Sequence, residues 1–395
     1  MTQEISEDNI SSLPKDLCFG CSACESICPT DCIRMLPDHE GFLYPIVDEA
    51  RCIACRKCID VCPGFQTVEL VQPLHQTCFI GGQILDETAR HQSSSGGMFS
   101  LVADHILAHN GVVYGAVFQA PEMKVAHARA VDAEGLQGMR KSKYVQSDTT
   151  DIFPRVQQDL STGRPVLFTG TPCQVAGLYL FLGKPYDNLL TCDIICHGVP
   201  SPGLFKSHFA ACEDRLNEPI ENIDFRTKEK GWGSFRNFYL SIETASQKQL
   251  VYAALDAYYA LFLANLTLRP VCYTCKYATL PRTSDLTFGD FWGVQKQSLD
   301  LFDGKGTSLL LVNTHRGQQI VDAAAGQAKI KVLESLDPLP PNLVRPTERP
   351  GSRTDFFDRI ELERWNKYRL RSHIKAVFTI LQNKTKAVSC RVLKS

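Results

Sequence analysis

One cysteine pattern occurs twice within the first 63 residues of this 395-residue chain. Each copy has the spacing C-x2-C-x2-C-x3-C-P, and the second copy begins 34 residues after the first. The cysteines are Cys18, Cys21, Cys24 and Cys28 in the first copy, and Cys52, Cys55, Cys58 and Cys62 in the second. In bacterial proteins this run binds 4Fe-4S clusters, and the fourth cysteine of each copy ligates the cluster of the other copy. The pattern therefore predicts a two-cluster module that transfers electrons.

The chemistry of a cubane cluster accounts for the spacing. Cysteines three residues apart on a tight loop can reach three corners of one cube, so the fourth ligand must come from elsewhere. The proline after the fourth cysteine prevents a simple helical continuation. A zinc site, a disulfide framework and buried structural thiols are the alternatives, but a zinc ribbon uses two C-x2-C pairs and needs no third regularly placed cysteine. We expect one cluster at Cys18, Cys21, Cys24 and Cys62, and the other at Cys52, Cys55, Cys58 and Cys28.

Length and charge set the context of this module. A chain of 395 residues is long enough for two or three domains. Its 42 Lys+Arg nearly balance its 43 Asp+Glu, so the overall charge gives no reason to expect a nucleic-acid partner. The first ten residues lack the basic-then-apolar order of a secretion signal, and no apolar run approaches the length of a membrane span. With 17 cysteines, this composition favours a cytoplasmic, metal-binding protein over a disulfide-bonded one.

The end of the chain is basic, whereas the rest is acidic. Residues 364–395 contain nine Lys/Arg and no Asp/Glu. Apolar residues recur there at roughly helical spacing, at Trp365, Leu370, Ile374, Val377, Phe378 and Leu381. Such a helix could contact an anionic membrane or a partner protein. The alternative is a terminal helix that packs on its own domain.

Turn and linker residues divide the chain into four segments. Residues 1–72 form the ferredoxin-like module, an α+β unit in which the segment from Phe42 to Val47 predicts a hairpin strand. From residue 76 onward, strands alternate with amphipathic helices, as in α/β domains. We divide that region into residues 76–160, which carry a Ser/Gly-rich loop, and residues 161–350. Residues 351–395 form the basic helical tail.

Four loops of the α/β region carry unusual chemistry. The loop from Ser93 to Gly97 precedes a predicted helix, and helix N-termini with hydroxyls and glycines suit a phosphate. The turn Thr169–Gln174 places Cys173 where a helix begins, which lowers the pKa of a thiol and suits a nucleophile or a metal thiolate. The other two loops hold Cys196 and the pair Cys272 and Cys275. Together with Cys173 they would supply four ligands for one further site, although spacing alone does not show that they meet.

These loops also carry a family resemblance. Several short motifs stand in the order seen in the beta subunit of the coenzyme F(420) hydrogenase/dehydrogenase family, over most of residues 10–350. They are Ser94-Ser95-Gly96-Gly97, Ser142-Lys143-Tyr144-Val145-Gln146-Ser147, Gly170-Thr171-Pro172-Cys173-Gln174, Cys196-His197-Gly198-Val199-Pro200, Phe225-Arg226 with Lys230-Gly231-Trp232, and Gly289-Asp290-Phe291-Trp292-Gly293. The resemblance implies an α/β FAD-binding domain of that type, a 4Fe-4S cluster beside the flavin, and hydride chemistry on a deazaflavin or another acceptor.

The resemblance also implies a set of site residues. It makes Cys173, Cys196, Cys272 and Cys275 the ligands of a third 4Fe-4S cluster, with Cys192 as a rival for one position. It places a second group of residues at FAD: Ser94, Ser95, Gly96, Gly97, Lys143, Tyr144, Gly170, Thr171, Arg282 and Asp290. Lys143 and Arg282 are candidates to stabilise negative charge on reduced flavin or on phosphate, or else are ordinary cations. His197 is a candidate proton relay, although a structural histidine is the simpler interpretation. The remaining cysteines are assigned to packing: Cys32, Cys78, Cys192, Cys212 and Cys390.

Two classes of function follow from these expectations. The first is a self-contained flavin enzyme that exchanges electrons with ferredoxin and reduces a small substrate. The second is an electron-relay subunit of a hydrogenase or dehydrogenase complex, without independent turnover. The fused module favours the first class, and the basic tail favours a docking surface. The identity of the hydride acceptor does not follow from these residues.

Overall fold

A computed structural model describes residues 8–68, 74, 76–232, 238–360 and 362. The predicted linker at Gln72 and Pro73, the basic tail after residue 363 and Cys390 lie outside the described residues. Within the described part of the chain, no helix combines the length and the apolar character needed to cross a bilayer.

The strands fall into three sheets. They are β1 (Ile33–Pro37), β2 (Leu43–Val47), β3 (Cys78–Ile84), β4 (Val112–Gln119), β5 (Lys124–Ala130), β6 (Val166–Thr169), β7 (Leu189–Ile194), β8 (Asn222–Thr227), β9 (Tyr239–Glu243), β10 (Lys248–Tyr252), β11 (Leu286–Asp290), β12 (Ser308–Val312) and β13 (Ala328–Leu333).

The α-helices cover the sheets and connect their strands. They are α1 (Ala23–Ile27), α2 (Lys57–Asp60), α3 (Glu87–His91), α4 (Met98–Ala108), α5 (Ala133–Gln137), α6 (Ile152–Ser161), α7 (Pro172–Leu182), α8 (Pro202–Leu216), α9 (Ala257–Leu263), α10 (Val294–Gln297), α11 (His315–Ala324) and α12 (Arg353–Arg359).

The cysteine-rich module keeps its sequence repeat in the backbone. The hairpin predicted from the apolar segment is present, because β2 pairs antiparallel with β1. One short helix lies within each copy of the cysteine pattern and contains its third cysteine, and both helices begin after a residue with positive φ, Ser22 (59°) and Arg56 (62°). Gly20 and Ala54 also have positive φ at equivalent positions, 65° and 52°. Two such turns in succession wrap each loop tightly, which directs its cysteines towards one point.

The large sheet has eight strands in the order β13-β3-β12-β11-β7-β6-β4-β5. Strands β3, β11, β7, β6 and β4 run in one direction, whereas β12, β13 and β5 run antiparallel to their neighbours. Strand β3 of residues 76–160 lies between β13 and β12 of residues 161–350, and β4 pairs with β6, so the two segments share one sheet. The parallel strands β6 and β7 are buried along most of their length, as expected for strands covered by helices on both faces. Their carboxyl ends meet at one edge, where open α/β sheets bind ligands.

A smaller sheet, β10-β9-β8, packs against α8 and α9 around an aromatic core that includes Phe205, Phe209 and Tyr258. It positions β8, which carries basic residues towards the Ser/Gly-rich loop.

The cysteine-rich module docks directly on the α/β region. Thr149 donates its hydroxyl to the carbonyl of Cys21 at 2.9 Å, and Gln146 donates to the carbonyl of Phe19 at 2.9 Å. On the other side of the module, Arg353 of α12 forms a bidentate pair with Glu40 at 2.8 and 2.6 Å. These groups are buried, so the module is held in a fixed position against the sheet.

Candidate metal and cofactor sites

The first cysteine group contains Cys18, Cys21, Cys24 and Cys62, the set predicted for one cluster, and all four are buried. Burial, together with the neighbouring Cys62 and Cys18, raises the pKa of Cys21 to about 12. Burial also raises the pKa of Cys24, together with Cys21, Cys18 and Cys62. These four thiols therefore lie close enough to repel one another's charge. Four buried thiolates require a cationic partner, and a metal centre supplies one.

The second group contains Cys28, Cys52, Cys55 and Cys58, which line one cavity of about 310 Å³. Cys55 is exposed, so this group reaches the surface of the protein. Burial raises the pKa of the Cys28 thiol, but hydrogen bonds from the backbone of Cys32 and Thr30 outweigh it and lower the pKa overall. The second group thus contains Cys28, the fourth cysteine of the first copy, as the doubled pattern predicts.

Cys32 is a fifth thiol at this second site, although packing alone was expected for it. Its Sγ lies 3.4 Å from the Sγ of Cys28, and its backbone N–H donates to that sulfur at 3.4 Å. One sequence signal could have indicated that Cys32 lies at this site, namely its position three residues after Pro29. The turn that follows this proline folds back onto Cys28.

A third group forms within the α/β region from Cys173, Cys196, Cys272 and Cys275, which line one cavity of about 480 Å³. Cys173 lies in the first turn of α7, and Cys196 follows the carboxyl end of β7. Because β6 and β7 are parallel neighbours, the loops after them meet. Cys272 and Cys275 come from a 3-10 helix, Pro270–Thr274, and the residue after it.

The rival ligand, Cys192, lies apart from this cavity. It is fully buried within β7, where it pairs with Leu286 of β11 and packs in the core of the large sheet. The structure therefore brings together the four cysteines that the family resemblance implies.

The expectation of a lowered pKa at Cys173 was wrong. Burial raises the pKa of this thiol well above its usual value, and the nearby Cys275 and Cys196 raise it further. The start of α7 and the hydroxyl of Thr171, 3.1 Å from the sulfur, do not compensate for burial. Cys173 is thus poorly suited to act alone as a nucleophile and is better suited to a metal.

None of these groups resembles a site for one ion. Within the described residues, no set of three or more His, Cys, Asp or Glu side chains converges closely enough to hold a single metal ion. A cubane differs because each of its four irons takes its own thiolate, which separates the sulfurs. The cysteines of the second and third groups are spread around the wall of a cavity, and this separation of the sulfurs fits a cubane.

The first and third groups are neighbours across the interface between the module and α7. A Cβ atom added at Gly177 of α7 would lie only 2.8 Å from the Sγ of Cys21. The charge of Cys21 is also among the groups that raise the pKa of Cys173. Two cysteines of different groups, Cys21 and Cys173, therefore lie on facing sides of one contact.

The Ser/Gly-rich loop lies where β3 leads into α4, and much of its polar surface is already bonded. The hydroxyl of Ser94 accepts from the backbone N–H of Ser142 at 2.8 Å, and that of Ser95 donates to the carbonyl of Thr307 at 2.7 Å. The N–H of Gly96 donates to the hydroxyl of Ser308 at 3.0 Å. Gly97, with φ of +87°, begins the 11-residue α4 without a side-chain cap.

Two features leave this helix start open to an anion. The N-cap residue of α4 is Gly97, and among the described residues no side chain caps the helix start. The hydroxyl of Ser100, in the same turn, is buried without a hydrogen-bond partner among the described residues. Both features are expected where a phosphate or pyrophosphate binds.

Two basic residues of β8 and the loop after it approach the Ser/Gly-rich loop, and neither was among the residues predicted at the cofactor. Lys228 donates to the carbonyls of Ser95 and Arg90 at 2.5 and 2.7 Å. Burial, together with the charges of Arg90 and Arg226, lowers its pKa to about 7. Arg226 pairs with Asp290, and its Nε is buried without a partner in the described part of the chain. The motif containing Phe225 and Arg226 was the signal that could have identified them.

Two indoles stack beside this loop. The rings of Trp232 and Trp292 have centroids 4.9 Å apart and planes within 6° of parallel. Trp232 donates its Nε1–H to the carbonyl of Ser94 at 3.1 Å. The guanidinium of Arg226 lies 5.2 Å from the ring of Trp292. Asp290, Arg226 and the two indoles thus form one polar and aromatic wall next to Ser94 and Ser95.

Lys143 and Tyr144 lie close to this wall but in different surroundings. The amino group of Lys143 donates to the carbonyls of Gly138 and Arg140 at 2.7 and 2.6 Å. Burial lowers the pKa of Lys143 to about 7. The ring of Tyr144 packs edge-on against Phe225 at 5.9 Å, within the aromatic core.

The other predicted flavin residues lie nearer to the third cysteine group. Thr171 caps α7 in a capping box with Gln174, and the N–H of Gly170 donates to the carbonyl of Cys192 at 3.1 Å. Arg282 is buried and pairs with Asp193 at 2.9 Å, and it lines the same cavity as Cys275. It is therefore not an ordinary surface cation.

His197 also lines the third cavity, where its Nε2 lies 2.7 Å from the Oδ1 of Asn265. Burial lowers its pKa, so the ring is neutral near pH 7. This environment suits the structural interpretation of His197.

Two family models match parts of this chain. Residues 163–337 match the family described as the C terminus of the beta subunit of coenzyme F(420) hydrogenase/dehydrogenase, and residues 17–64 match the 4Fe-4S dicluster domain. An uncharacterized polyferredoxin-like protein of Methanocaldococcus jannaschii is 30% identical over 69 residues, which are 15% of this chain. The chain spans only 41% of the length of that relative.

A chain in the solved F(420)-reducing NiFe hydrogenase complex of Methanosarcina barkeri is 17% identical, with a TM-score of 0.44 over 69% of this chain and 87% of that one. The two family matches cover the doubled cysteine pattern and the strands and loops that build the third cysteine group. The chain therefore carries a domain of the family described as the C terminus of the beta subunit of coenzyme F(420) hydrogenase/dehydrogenase at residues 163–337, and a ferredoxin-like 4Fe-4S dicluster domain at residues 17–64.

Proposed function

We propose that the chain is an iron–sulfur flavoprotein oxidoreductase that passes electrons through 4Fe-4S clusters to FAD and on to a hydride acceptor. The acceptor would be the deazaflavin coenzyme F(420) or another small biosynthetic substrate. One observation carries the proposal: the cysteine group of the α/β region lies directly across an interface from the first group of the dicluster domain, with Cys21 and Gly177 in contact. A cysteine site in that position continues the electron path of the module into the α/β domain.

The three cysteine groups suggest the order of the path. The surface-reaching second group would receive electrons, the buried first group would pass them inward, and the third group would hold the innermost cluster. Clusters carry single electrons, and a flavin converts them to the pairs that hydride chemistry requires. The protein's share is to fix these distances and to exclude water. Phe19 and Tyr277, which pack against each other at 5.3 Å, line the third cavity and close it towards the first group.

The residues around α4 would hold the cofactor's phosphates. The uncapped helix start and the partnerless hydroxyl of Ser100 offer donors, and Lys228 and the free Nε of Arg226 add positive charge. A helix N-terminus with nearby cations is a general anion site. These donors support FAD at the Ser/Gly-rich loop, with Asp290 holding Arg226 in place.

An electron-relay subunit without independent turnover is the second candidate, and one observation favours it. Next to the exposed Cys55, Ile53 presents an apolar side chain that is 63% exposed, and Arg56 carries a charge beside it. An exposed apolar residue beside a surface cysteine site suits the docking of ferredoxin or of another subunit of a hydrogenase or dehydrogenase.

The test is anaerobic purification with iron, sulfide and flavin quantified, followed by turnover assays with an artificial electron donor and F(420). Turnover without any partner protein would support the enzyme and exclude the pure relay. Flavin-free protein with a full iron content would contradict the flavoprotein proposal.

A matched pair of variants locates the flavin. Lys228→Met should reduce the FAD content severalfold and leave iron unchanged, because it removes a cation at the Ser/Gly-rich loop. Lys184→Met, at an exposed position in the loop between α7 and β7, should change neither. Equal flavin content in both variants would remove Lys228 from the site.

A further inference from the structure

Arg269 connects the third cysteine group to the first. Its backbone belongs to the third group, because its carbonyl accepts from the N–H of Cys272 at 2.9 Å. Its side chain reaches into the dicluster domain, where Nε donates to the carbonyl of Cys18 at 2.7 Å and Nη2 lies 3.3 Å from the Sγ of the same residue. The residue also lines the third cavity. One guanidinium therefore lies between two candidate cluster sites.

The charge of Arg269 has no carboxylate partner in the described part of the chain. The residue is 0% exposed, and its other hydrogen bonds go to the amide oxygen of Gln146 and the carbonyl of Leu43. Its guanidinium lies 4.2 Å from the centre of the Tyr44 ring. A guanidinium keeps its positive charge in proteins, and an uncompensated buried charge is costly.

The other buried arginines differ in this respect. Arg282 pairs with Asp193, Arg353 with Glu40, Arg226 with Asp290 and Arg90 with Asp303. These four partners are all carboxylates, so the fold supplies counter-charges at the other buried arginines of the described residues. At Arg269 the nearest anionic groups are the cysteine sulfurs, which carry negative charge only when they bind a metal centre.

We propose that Arg269 is a shared counter-charge for the clusters of the first and third groups, and that it raises the reduction potentials of both. The inference rests on the proposed iron–sulfur function. A nearby fixed cation favours the more negative, reduced form of a cluster, and burial strengthens the effect. Because Arg269 contacts the first group and lines the cavity of the third, its charge favours an electron on either side of the interface. The cluster of the second group lies outside its contacts.

The experiment is a redox titration of the full-length protein, monitored by EPR, for wild type, Arg269→Gln and Arg269→Lys. The Gln variant should lower the potentials of the first and third clusters, so that the reduced-to-oxidised ratio at a fixed potential falls about tenfold or more, which is ~59 mV for a one-electron couple. The second cluster should keep its potential and serve as the internal control. Arg269→Lys should restore most of the shift, because it retains the charge and loses the planar fork.

Three results would overturn the proposal. They are unchanged potentials in Arg269→Gln, an equal shift in all three clusters, and a shift in Arg269→Lys as large as in Arg269→Gln. The last result would show that the planar guanidinium geometry of Arg269, and not its charge, is responsible, which is a structural role. Wild-type protein that binds no iron would instead overturn the proposed function itself.

A measurement on wild-type protein covers the case in which neither variant retains its clusters. In protein labelled with 15N-arginine, pulsed EPR of the reduced first cluster should detect a nitrogen coupling, because Nη2 lies 3.3 Å from a ligand sulfur. Absence of this coupling would overturn the proposal.

Discussion

Replacement of Arg353 by Met should destabilise the docking of the dicluster domain strongly. The Arg353 and Glu40 side chains are 2% and 11% exposed, and they form two hydrogen bonds at 2.8 and 2.6 Å. Arg353 also donates twice to the carbonyl of Leu268, at 3.0 and 2.8 Å. Arg353→Met would leave the Glu40 carboxylate buried without a cation, which costs about 3–5 kcal/mol of unfolding free energy.

A second substitution separates the contributions. In Arg353→Met/Glu40→Gln no buried charge remains at this pair. The expected loss of unfolding free energy is then about 1–3 kcal/mol, from the lost hydrogen bonds to the buried carbonyl of Leu268. The double variant should therefore be more stable than the single variant. Arg359→Met is the matched control on the same helix, because its pair with Asp355 is 3.9 Å long and exposed, and it should change stability by less than about 0.5 kcal/mol.

The assay is anaerobic urea denaturation, followed by far-ultraviolet circular dichroism and by the visible absorbance of the clusters. The first signal reports the loss of secondary structure, most of which lies in the α/β domain, and the second reports the loss of the bound clusters. The reasoning would be refuted if Arg353→Met stayed within about 1 kcal/mol of wild type. It would also be refuted if the double variant were as unstable as the single one.

Two further predictions concern the interface and the core. Gly177→Ala should alter the EPR signal of the first cluster, because the new Cβ would lie 2.8 Å from the Cys21 sulfur. The two atoms would have to move apart by at least about 0.6 Å to reach ordinary contact at 3.4 Å. Gly326→Ala is the control, because a Cβ atom there enters open space and should have no effect. Identical spectra for both variants would contradict the contact. Burial lowers the pKa of His208, but Asp256 at 2.8 Å raises it overall to about 9. The pair therefore stabilises the fold fully below about pH 6.5 and loses this contribution as pH rises through 9, about 3 kcal/mol in total. In urea melts across this range, His208→Gln should lack the decline, and an unchanged decline would show another group to be responsible.

The sequence predicted the parts of the sites that depend on local spacing. The doubled pattern predicted which cysteines share the first and second groups, because each ligand loop is short and the two copies repeat in one small module. The hairpin of β1 and β2 and the strand-to-helix order around Cys173 also follow from local patterns.

What the sequence did not predict depends on strand order and burial. Cys196 approaches Cys173 because β7 pairs in parallel with β6, and a strand order cannot be obtained from hydrophobic periodicity. Cys192 was a rival for the same reason, since only its position inside β7 removes it from the cavity. The lowered pKa expected at Cys173 failed because burial outweighs the start of a helix.

Buried cations were the hardest residues to predict. Lys228 and Arg269 appear in the sequence as ordinary basic residues, and only the fold shows that one contacts the Ser/Gly-rich loop and the other spans two cysteine groups. Both residues act strongly because they are buried away from water, and their burial cannot be predicted from the order of residue types alone.

The central claim is a third cluster at Cys173, Cys196, Cys272 and Cys275, and iron content with Mössbauer spectroscopy tests it most directly. Anaerobically purified wild-type protein should contain about twelve irons per chain in three cubanes, and Cys272→Ala should contain about eight. Cys212→Ala, in which a core thiol outside the three groups is replaced, should keep all twelve. About eight irons in wild-type protein, unchanged in Cys272→Ala, would contradict the claim.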